Sequence, residues 1–118
     1  MIYGLTNSKG GVGKTTIAVH LAAALVKKKR SVIFIDADPQ NSASQWITEL
    51  GLPIKLEQIS EPDELIHRVA KLASDADDIV IDGPAGLSAT TRAIMLRADR
   101  VFLPCGPSIT LLRAWHPV

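Results

Sequence analysis

The residues best suited to chemistry form a glycine-rich stretch, SKGGVGKTT, at residues 8–16. Its glycines, Gly10, Gly11 and Gly13, would let backbone N–H groups turn towards phosphate oxygens ahead of a helix N-terminus. The stretch departs from the usual pattern G-x-x-x-x-G-K-[ST], because Ser8 stands where the first glycine is expected. It still predicts a phosphate-binding loop, with a second lysine ahead of the glycine pair.

The side chains after the last glycine of this loop are those that a magnesium nucleotide requires. Lys14 is placed for the β- and γ-phosphates and Thr15 for Mg²⁺, while Thr16 could offer a hydroxyl to the α-phosphate. A glycine-rich turn without a ligand is the alternative. The predicted strand before the loop and the predicted helix after it favour nucleotide binding.

Three carboxylates lie at the ends of apolar runs. Asp36 and Asp38 occur in FIDADPQN, and Asp82 occurs in IVIDGPAG. A carboxylate after a buried strand commonly holds magnesium-bound water, although a helix cap or a turn is the alternative reading. Because two such strand ends occur in a chain that also has a phosphate loop, a metal site is favoured over a helix cap or a turn. Asp38, two residues beyond Asp36, could position the attacking water, because phosphoryl transfer needs mainly placement and charge stabilisation.

Alternating strands and helices must position these groups. Strands are predicted at 2–6, 31–36, 54–59, 78–83 and 100–104. Helices are predicted at 15–29, at 42–50 before a stop at Gly51, after a capping box of Ser60 and Asp63, at 88–98 and from about Ser108. This order predicts an α/β fold with a mainly parallel sheet and helices on both faces. Ligands of such sheets bind at the carboxyl ends of the strands.

The bulk composition indicates one compact domain. The chain has 118 residues, 47% of them hydrophobic, and a net charge of +1, so no strong attraction to nucleic acid or an anionic membrane is expected. The charged runs at 27–30 and 74–78 are interpreted as solvated turns. A single cysteine, Cys105, excludes an internal disulfide and is interpreted as a buried small hydrophobe. Without an apolar membrane span or a signal peptide, a cytoplasmic location is expected.

KGGVGKTT, DADPQ and IVIDGPAG, in this order and at these spacings, resemble the motifs of the deviant Walker A ATPases of the ParA/MinD superfamily. The greatest similarity is to small ParA-type partition ATPases of the ParF-like branch, and it extends from Ile2 to about Arg113. The resemblance implies a three-layer P-loop NTPase fold, with residues 1–118 as a single ATPase domain. It also implies ATP/ADP and Mg²⁺ as cofactors and a slow, partner-stimulated hydrolysis of ATP.

The family's functional residues can be assigned to matching positions of this chain. Lys9 matches the signature lysine, which in this family reaches across an ATP-sandwiched dimer to the partner's nucleotide. Lys9, Lys14 and Asp38 are thus the expected catalytic residues, and the stretch from Gly83 to Gly86 matches the switch that senses the γ-phosphate. The expected metal-site residues are Thr15, Asp36 and Asp82. The expected nucleotide contacts are Lys9, Gly10, Gly11, Val12, Gly13, Lys14, Thr15 and Thr16.

The resemblance also implies partners. We expect a homodimer on ATP binding, a ParB-like centromere-binding activator, no membrane, and a role in plasmid or chromosome partition in the bacterial cytoplasm or at the nucleoid. In the family the chain continues further, and that C-terminal part supplies much of the adenine pocket and the basic surface for non-specific DNA. The sequence is therefore expected to be the N-terminal portion of the family fold. Whether this portion binds DNA is left undecided.

Three alternatives remain at this stage. A MinD-like membrane-cycling ATPase needs a C-terminal amphipathic helix, which RAWHPV at 113–118 does not resemble. A metal-cofactor maturation or nitrogenase-reductase relative would bind metal between subunits through cysteines, and Cys105 alone supports this weakly. A remnant that only binds nucleotide is favoured by the short chain and opposed by the intact set of Lys9, Lys14 and Asp38.

Overall fold

The computed structural model describes residues 1–7, 13–105 and 108–113, and the side chains of 1–6 and 13–103. In chain order the elements are β1 (Ile2–Asn7), α1 (Lys14–Lys27), β2 (Val32–Asp36), α2 (Ser42–Leu50), β3 (Lys55–Gln58), α3 (Pro62–Leu72), β4 (Asp78–Ala85), α4 (Ala89–Arg97), β5 (Arg100–Cys105) and β6 (Ser108–Arg113).

The strands form one sheet of six in the order β3-β2-β4-β1-β5-β6. The neighbours from β3 to β5 run parallel, and β6 alone in this described sheet runs antiparallel to its neighbour β5. All five residues of β2 are buried, as expected for an inner parallel strand that is covered on both faces. The predicted mainly parallel α/β architecture is confirmed, with β3 at one edge of the sheet.

Helices cover both faces of the sheet. Side chains on one face, such as Phe34 and Val80, pack with α1 and α2, whereas Ile33 and Ile79 on the other face pack with α3 and α4. This separation follows from the alternation of side chains along a strand, which sends consecutive residues to opposite faces. The two resulting cores fix the helices against the sheet, and α1 in particular begins at its carboxyl edge.

Two strand glycines allow α4 to lie close to the sheet. A Cβ atom at Gly83 would lie 2.7 Å from Ile94 Cδ1 and 2.9 Å from the carbonyl oxygen of Leu5. A Cβ atom at Gly4 would lie 2.5 Å from Ile94 Cγ2. Ile94 is fully buried, so these positions leave no room for a side chain. Gly83, predicted as part of a switch, therefore also has a packing role.

The helix predicted from about Ser108 is wrong, because residues Ser108–Arg113 form strand β6. This strand pairs antiparallel with β5 from Arg100 opposite Arg113 to Cys105 opposite Ser108. The segment contains two β-branched residues, Ile109 and Thr110, which favour strands. The Gly-Pro pair that precedes it in the sequence is a turn signal, and it lies outside the described residues.

The cap of α3 also differs from the prediction. Glu61, and not Ser60, is the N-cap residue, and its carboxylate accepts hydrogen bonds from the backbone N–H groups of Asp63 (3.2 Å) and Glu64 (2.7 Å). Pro62 follows as the first helical residue, where its missing N–H has no consequence. The start of the helix thus shifts by one residue, whereas the predicted stop of α2 at left-handed Gly51 is confirmed.

We expect Glu61→Ala to lower the free energy of unfolding by about 1 kcal/mol, because two N–H groups of α3 lose their acceptor. Urea denaturation followed by circular dichroism measures this change. Ser60→Ala is the matched control, since the Ser60 carbonyl accepts from Thr90 Oγ1 at 2.8 Å and remains in the variant. A larger loss for Ser60→Ala than for Glu61→Ala would contradict the assigned cap.

The two charged runs meet at the amino edge of the sheet. Arg30 forms an ion pair with buried Asp78 through Nε, and its Nη2 lies 3.3 Å from Asp78 Oδ1. The amino group of Met1 lies 3.4 Å from the same oxygen. The prediction of two solvated turns is therefore wrong for Asp78, which is buried at the start of β4, whereas Arg30 is exposed as predicted although it pairs with Asp78. Lys27, Lys28 and Lys29 are exposed, as predicted.

Candidate functional site

The sheet topology brings the predicted site residues to one edge. Asp36 ends β2, and Asp82 lies directly opposite it on neighbouring β4. On the other side of β4, Asp82 pairs with Leu5 of β1, the strand that leads towards α1. Parallel strands end at a common edge, so one strand-end carboxylate, a second carboxylate and the start of α1 converge there, as predicted.

The start of α1 fits an anion site. Gly13 has left-handed backbone angles, φ 78° and ψ 16°, which a residue with a side chain adopts only under strain. It is the N-cap of α1 and offers no side-chain acceptor, and the first turn contains no acidic residue. Such a helix N-terminus favours a bound anion. The predicted contacts Lys9, Gly10, Gly11 and Val12 lie outside the described residues.

Lys14 and Thr15, the first two residues of α1, both bind Asp82. Lys14 Nζ lies 2.5 Å from Asp82 Oδ1, and Thr15 Oγ1 donates to Asp82 Oδ2 over 3.0 Å. Lys14 is 6% exposed and Asp82 is fully buried. The predicted phosphate lysine and two of the three predicted magnesium residues thus form one cluster. The Thr16 side chain, in contrast, is exposed.

The charge of Asp82 is balanced by these neighbours. Burial raises the pKa of Asp82 above its ordinary value, because removal from water disfavours the carboxylate. The ammonium group of Lys14 and the hydroxyl of Thr15 act in the opposite direction, while the nearby charge of Asp36 adds to the increase. The ion pair with Lys14 is therefore the main interaction that keeps a charge at this position acceptable.

Asp36 is fixed by hydrogen bonds on both of its oxygens. Oδ1 accepts from the backbone N–H of Asp38 at 3.2 Å, and Oδ2 accepts from the N–H (2.9 Å) and the hydroxyl (2.6 Å) of Ser44. Asp36 is 1% exposed and Ser44 is 5% exposed. Ser44 was absent from the predicted site. Its signal in the sequence was a hydroxyl in the first turn of the helix that follows the carboxylate.

Asp38 is held in the loop between β2 and α2 by a hydrogen bond to one of its two carboxylate oxygens. Its Oδ1 accepts from the backbone N–H of Gln40 at 3.0 Å, and its Oδ2 lies 4.0 Å from Lys14 Nζ. The side chain is 23% exposed. A cleft of about 300 Å³ opens beside it, lined by Asp36, Asp38, Pro39, Asn41, Gln58, Ile59 and Ser60. Water can therefore reach the residue that was predicted to orient it.

The donor atoms at this edge fit magnesium. The Thr15 hydroxyl adjoins a carboxylate oxygen of Asp82, and Asp36 lies opposite Asp82 in the sheet. Mg²⁺ prefers oxygen ligands and commonly uses one or two carboxylates together with substrate phosphates and water. In the described part of the chain, no group of three or more His, Cys, Asp or Glu side chains could hold a metal by itself.

The predicted switch connects the site to α4. Strand β4 continues to Ala85, and Gly86 follows with a positive φ of 89°. The carbonyl oxygen of Gly86 accepts a hydrogen bond from Thr91 Oγ1 of α4 at 2.8 Å. A residue two positions beyond the start of α4 therefore fixes the end of the segment that begins beside Asp82.

Comparison with known proteins places this geometry in a family. Residues 3–106 match the CobQ/CobB/MinD/ParA nucleotide binding domain. The chain belongs to this family. The predicted superfamily is thereby confirmed, and so is the predicted three-layer P-loop NTPase fold. In this family member Lys14 lies on α1, and Asp36 and Asp82 lie on β2 and β4.

Two curated relatives indicate the range of roles in the family. Maintenance of carboxysome distribution protein A of Gloeobacter kilaueensis is 38% identical over 108 residues, which cover 91% of this chain and 50% of that protein. Chromosome partitioning protein ParA of Myxococcus xanthus is 30% identical over 141 residues, covering 85% of this chain and 50% of that protein. This family member thus spans about half the length of these relatives.

A solved structure shows the same fold with ligands. Cobyrinic acid a,c-diamide synthase from Mycobacterium smegmatis, with a bound ATP analogue and magnesium, is 25% identical and has a TM-score of 0.74. The match covers 88% of this chain and 57% of that protein.

In the portion of this family member that the structure describes, no helix has the length and apolar character to span a bilayer. The Cys105 side chain, predicted to be buried, is outside that portion.

Proposed function

We propose that this chain binds ATP with Mg²⁺ and hydrolyses it slowly, and that ATP favours a homodimer. One observation carries the proposal: Lys14 and Thr15, at the start of α1, both bind the Asp82 carboxylate, and the Asp38 carboxylate lies 4.0 Å from Lys14. A cation, a hydroxyl and two carboxylates at one helix N-terminus are the groups that nucleotide hydrolysis with magnesium requires.

Each residue of the cluster has a role in this proposal. Buried Lys14 would neutralise charge on the β- and γ-phosphates, and because it is already desolvated its charge acts with little screening by water. Thr15, Asp82 and Asp36 would hold magnesium. That ion, when bound with ATP, neutralises charge that develops on the phosphates.

Asp38 and Lys9 would complete the reaction. Asp38, fixed through Oδ1 by the Gln40 N–H, would orient the attacking water with Oδ2. Lys9 would enter the site of a partner chain and stabilise transition-state charge, as an arginine finger does. Hydrolysis would then require two chains, because each site lacks this cation until a second copy binds.

The biological role proposed for this switch is the positioning of a cargo. Partition of a plasmid or chromosome, with a ParB-like activator and non-specific DNA, is supported by the similarity to chromosome partitioning protein ParA. Distribution of carboxysomes is a second candidate, supported by the 38% identity to a carboxysome distribution protein. A bacterial cytoplasmic or nucleoid location accompanies either role.

The test measures nucleotide affinity, phosphate release and molecular mass of the 118-residue chain. We expect tighter ADP and ATP binding with Mg²⁺, turnover well below one per second, and a dimer by light scattering with ATP but not with ADP. Binding without turnover would favour the non-hydrolysing remnant. Turnover by a strictly monomeric chain would contradict the dimer mechanism.

A further inference from the structure

Ser44 fixes the direction in which the Asp36 carboxylate points. Its hydroxyl and its backbone N–H both donate to Asp36 Oδ2, at 2.6 Å and 2.9 Å. Both residues are buried, so water cannot replace either donor. A carboxylate that is bound twice on one oxygen cannot rotate freely, and its second oxygen therefore keeps one orientation.

The contact also completes the N-terminus of α2. Asn41, the N-cap residue, has a left-handed backbone and makes no side-chain capping hydrogen bond. Asp36, at the end of β2, supplies an acceptor for the third N–H of the helix, that of Ser44. The position of α2 and the orientation of Asp36 are consequently coupled through this one residue.

The other oxygen of Asp36 extends this link to Asp38. Oδ1 accepts the backbone N–H of Asp38 at 3.2 Å, and that residue's own carboxylate lies 4.0 Å from Lys14 Nζ. A shift of the Asp36 carboxylate would thus move the backbone of the residue that is proposed to orient water. Ser44 touches none of the reacting groups and would act only through Asp36.

We propose that Ser44 is a positioning residue for magnesium, which it controls by orienting Asp36. The inference rests on the proposed function, because it assumes that nucleotide binds here with Mg²⁺. Hydrogen-bond partners of metal-site residues commonly set metal affinity, and their loss costs about 10- to 100-fold. No such role follows for Ser42, which is exposed two residues earlier on the same helix.

The test compares ADP affinity with and without Mg²⁺ by calorimetry for the wild type, Ser44→Ala, Ser44→Thr and the control Ser42→Ala. We expect the gain in affinity from Mg²⁺ to fall about 10-fold in Ser44→Ala. Ser44→Thr, which retains the hydroxyl, and Ser42→Ala should keep the gain. Affinity without Mg²⁺ should be the same in all four. A wild-type gain in Ser44→Ala, or an equal loss without Mg²⁺, would overturn the proposal.

A second measurement tests whether Ser44 acts through Asp36. In an Asp36→Asn background, Ser44→Ala should cause no further loss of the Mg²⁺ effect, since the two changes remove one interaction. Additive losses would refute this route. The readout needs no hydrolysis, so a chain that binds Mg²⁺-ADP but never releases phosphate refutes only the hydrolytic part of the proposed function. A chain that binds no nucleotide refutes both.

Discussion

Replacing Lys14 by methionine should destabilise the chain by about 3–5 kcal/mol at pH 8 and weaken ATP binding by about 100-fold or more. The stability loss arises because Asp82 is fully buried and its ion-pair partner at 2.5 Å disappears. The affinity loss arises because the phosphates lose a desolvated cation. Urea denaturation and nucleotide titration measure the two effects separately.

A double variant separates the two roles of Lys14. In Lys14→Met/Asp82→Asn no charge remains buried without a partner, so most of the stability should return while ATP binding stays weak. Lys27→Met, on the exposed last turn of α1, is the matched control and should alter neither property by much. If the double variant is no more stable than Lys14→Met, the buried ion pair does not explain the loss.

The pH dependence of the stability of Lys14→Met follows from the pKa of Asp82. Burial raises the pKa of Asp82 above 3.8 in the folded chain, so the folded chain retains a proton that the unfolded chain releases. Its contribution to stability is therefore greatest below pH 3.8 and falls as the pH rises through the folded pKa. Without Lys14 this pKa rises further. The stability deficit of Lys14→Met should thus shrink as the pH is lowered from 8 towards 4, and a constant deficit would contradict this account.

Asp38→Ala should reduce ATP turnover by about 100-fold or more and leave ADP affinity within a few-fold of wild type. Asp38 Oδ2 lies 4.0 Å from Lys14 Nζ, and the residue is neither fully buried nor paired at hydrogen-bond distance with that lysine. Its removal therefore takes away the group that is proposed to orient water without disturbing the phosphate cluster. Single-turnover phosphate release and ADP titration distinguish the two quantities.

Two further variants should be compared with Asp38→Ala. Asp38→Asn retains an oxygen that can accept the Gln40 N–H, so it keeps the loop geometry and tests the carboxylate charge alone. Asp75→Ala removes an exposed carboxylate after α3 and should leave turnover unchanged. Wild-type turnover in Asp38→Ala would remove this residue from the mechanism.

The position of the site could be predicted because it depends on a few strong rules. Apolar runs such as that of β2 identify inner strands, and parallel strands end at a common edge. Those rules suffice to bring Asp36, Asp82 and Lys14 together, as the structure shows. The closest packing at this edge was harder to predict from the sequence, because the contact of Gly83 with Ile94 depends on how α4 lies on the sheet.

The features that the sequence analysis predicted wrongly or missed also have physical reasons. The segment 108–113 carries apolar residues that suit either a helix or a strand, and only its pairing with β5 decides between them. Ser60 and Glu61 are adjacent potential caps, and Glu61 is the cap because Pro62 takes the first helical position. Ser44 was missed because its partner Asp36 is eight residues away in the sequence, beyond the reach of local capping patterns.

Lys9 of one chain is proposed to act in the ATP site of a second chain, and mixing two inactive variants shows whether it does. In a mixed dimer of Lys9→Ala and Asp38→Ala, the Lys9→Ala chain keeps its own Asp38 and would receive Lys9 from its partner. Equal mixing should then restore about a quarter of the wild-type turnover, because half of the dimers would have one complete site.

The control mixes Lys9→Ala with the double variant Lys9→Ala/Asp38→Ala, in which no chain can supply the lysine, and it should stay inactive. We expect turnover to recover in the first mixture alone. If turnover in the first mixture does not exceed the average of the two separate variants, Lys9 does not act in the site of the partner chain.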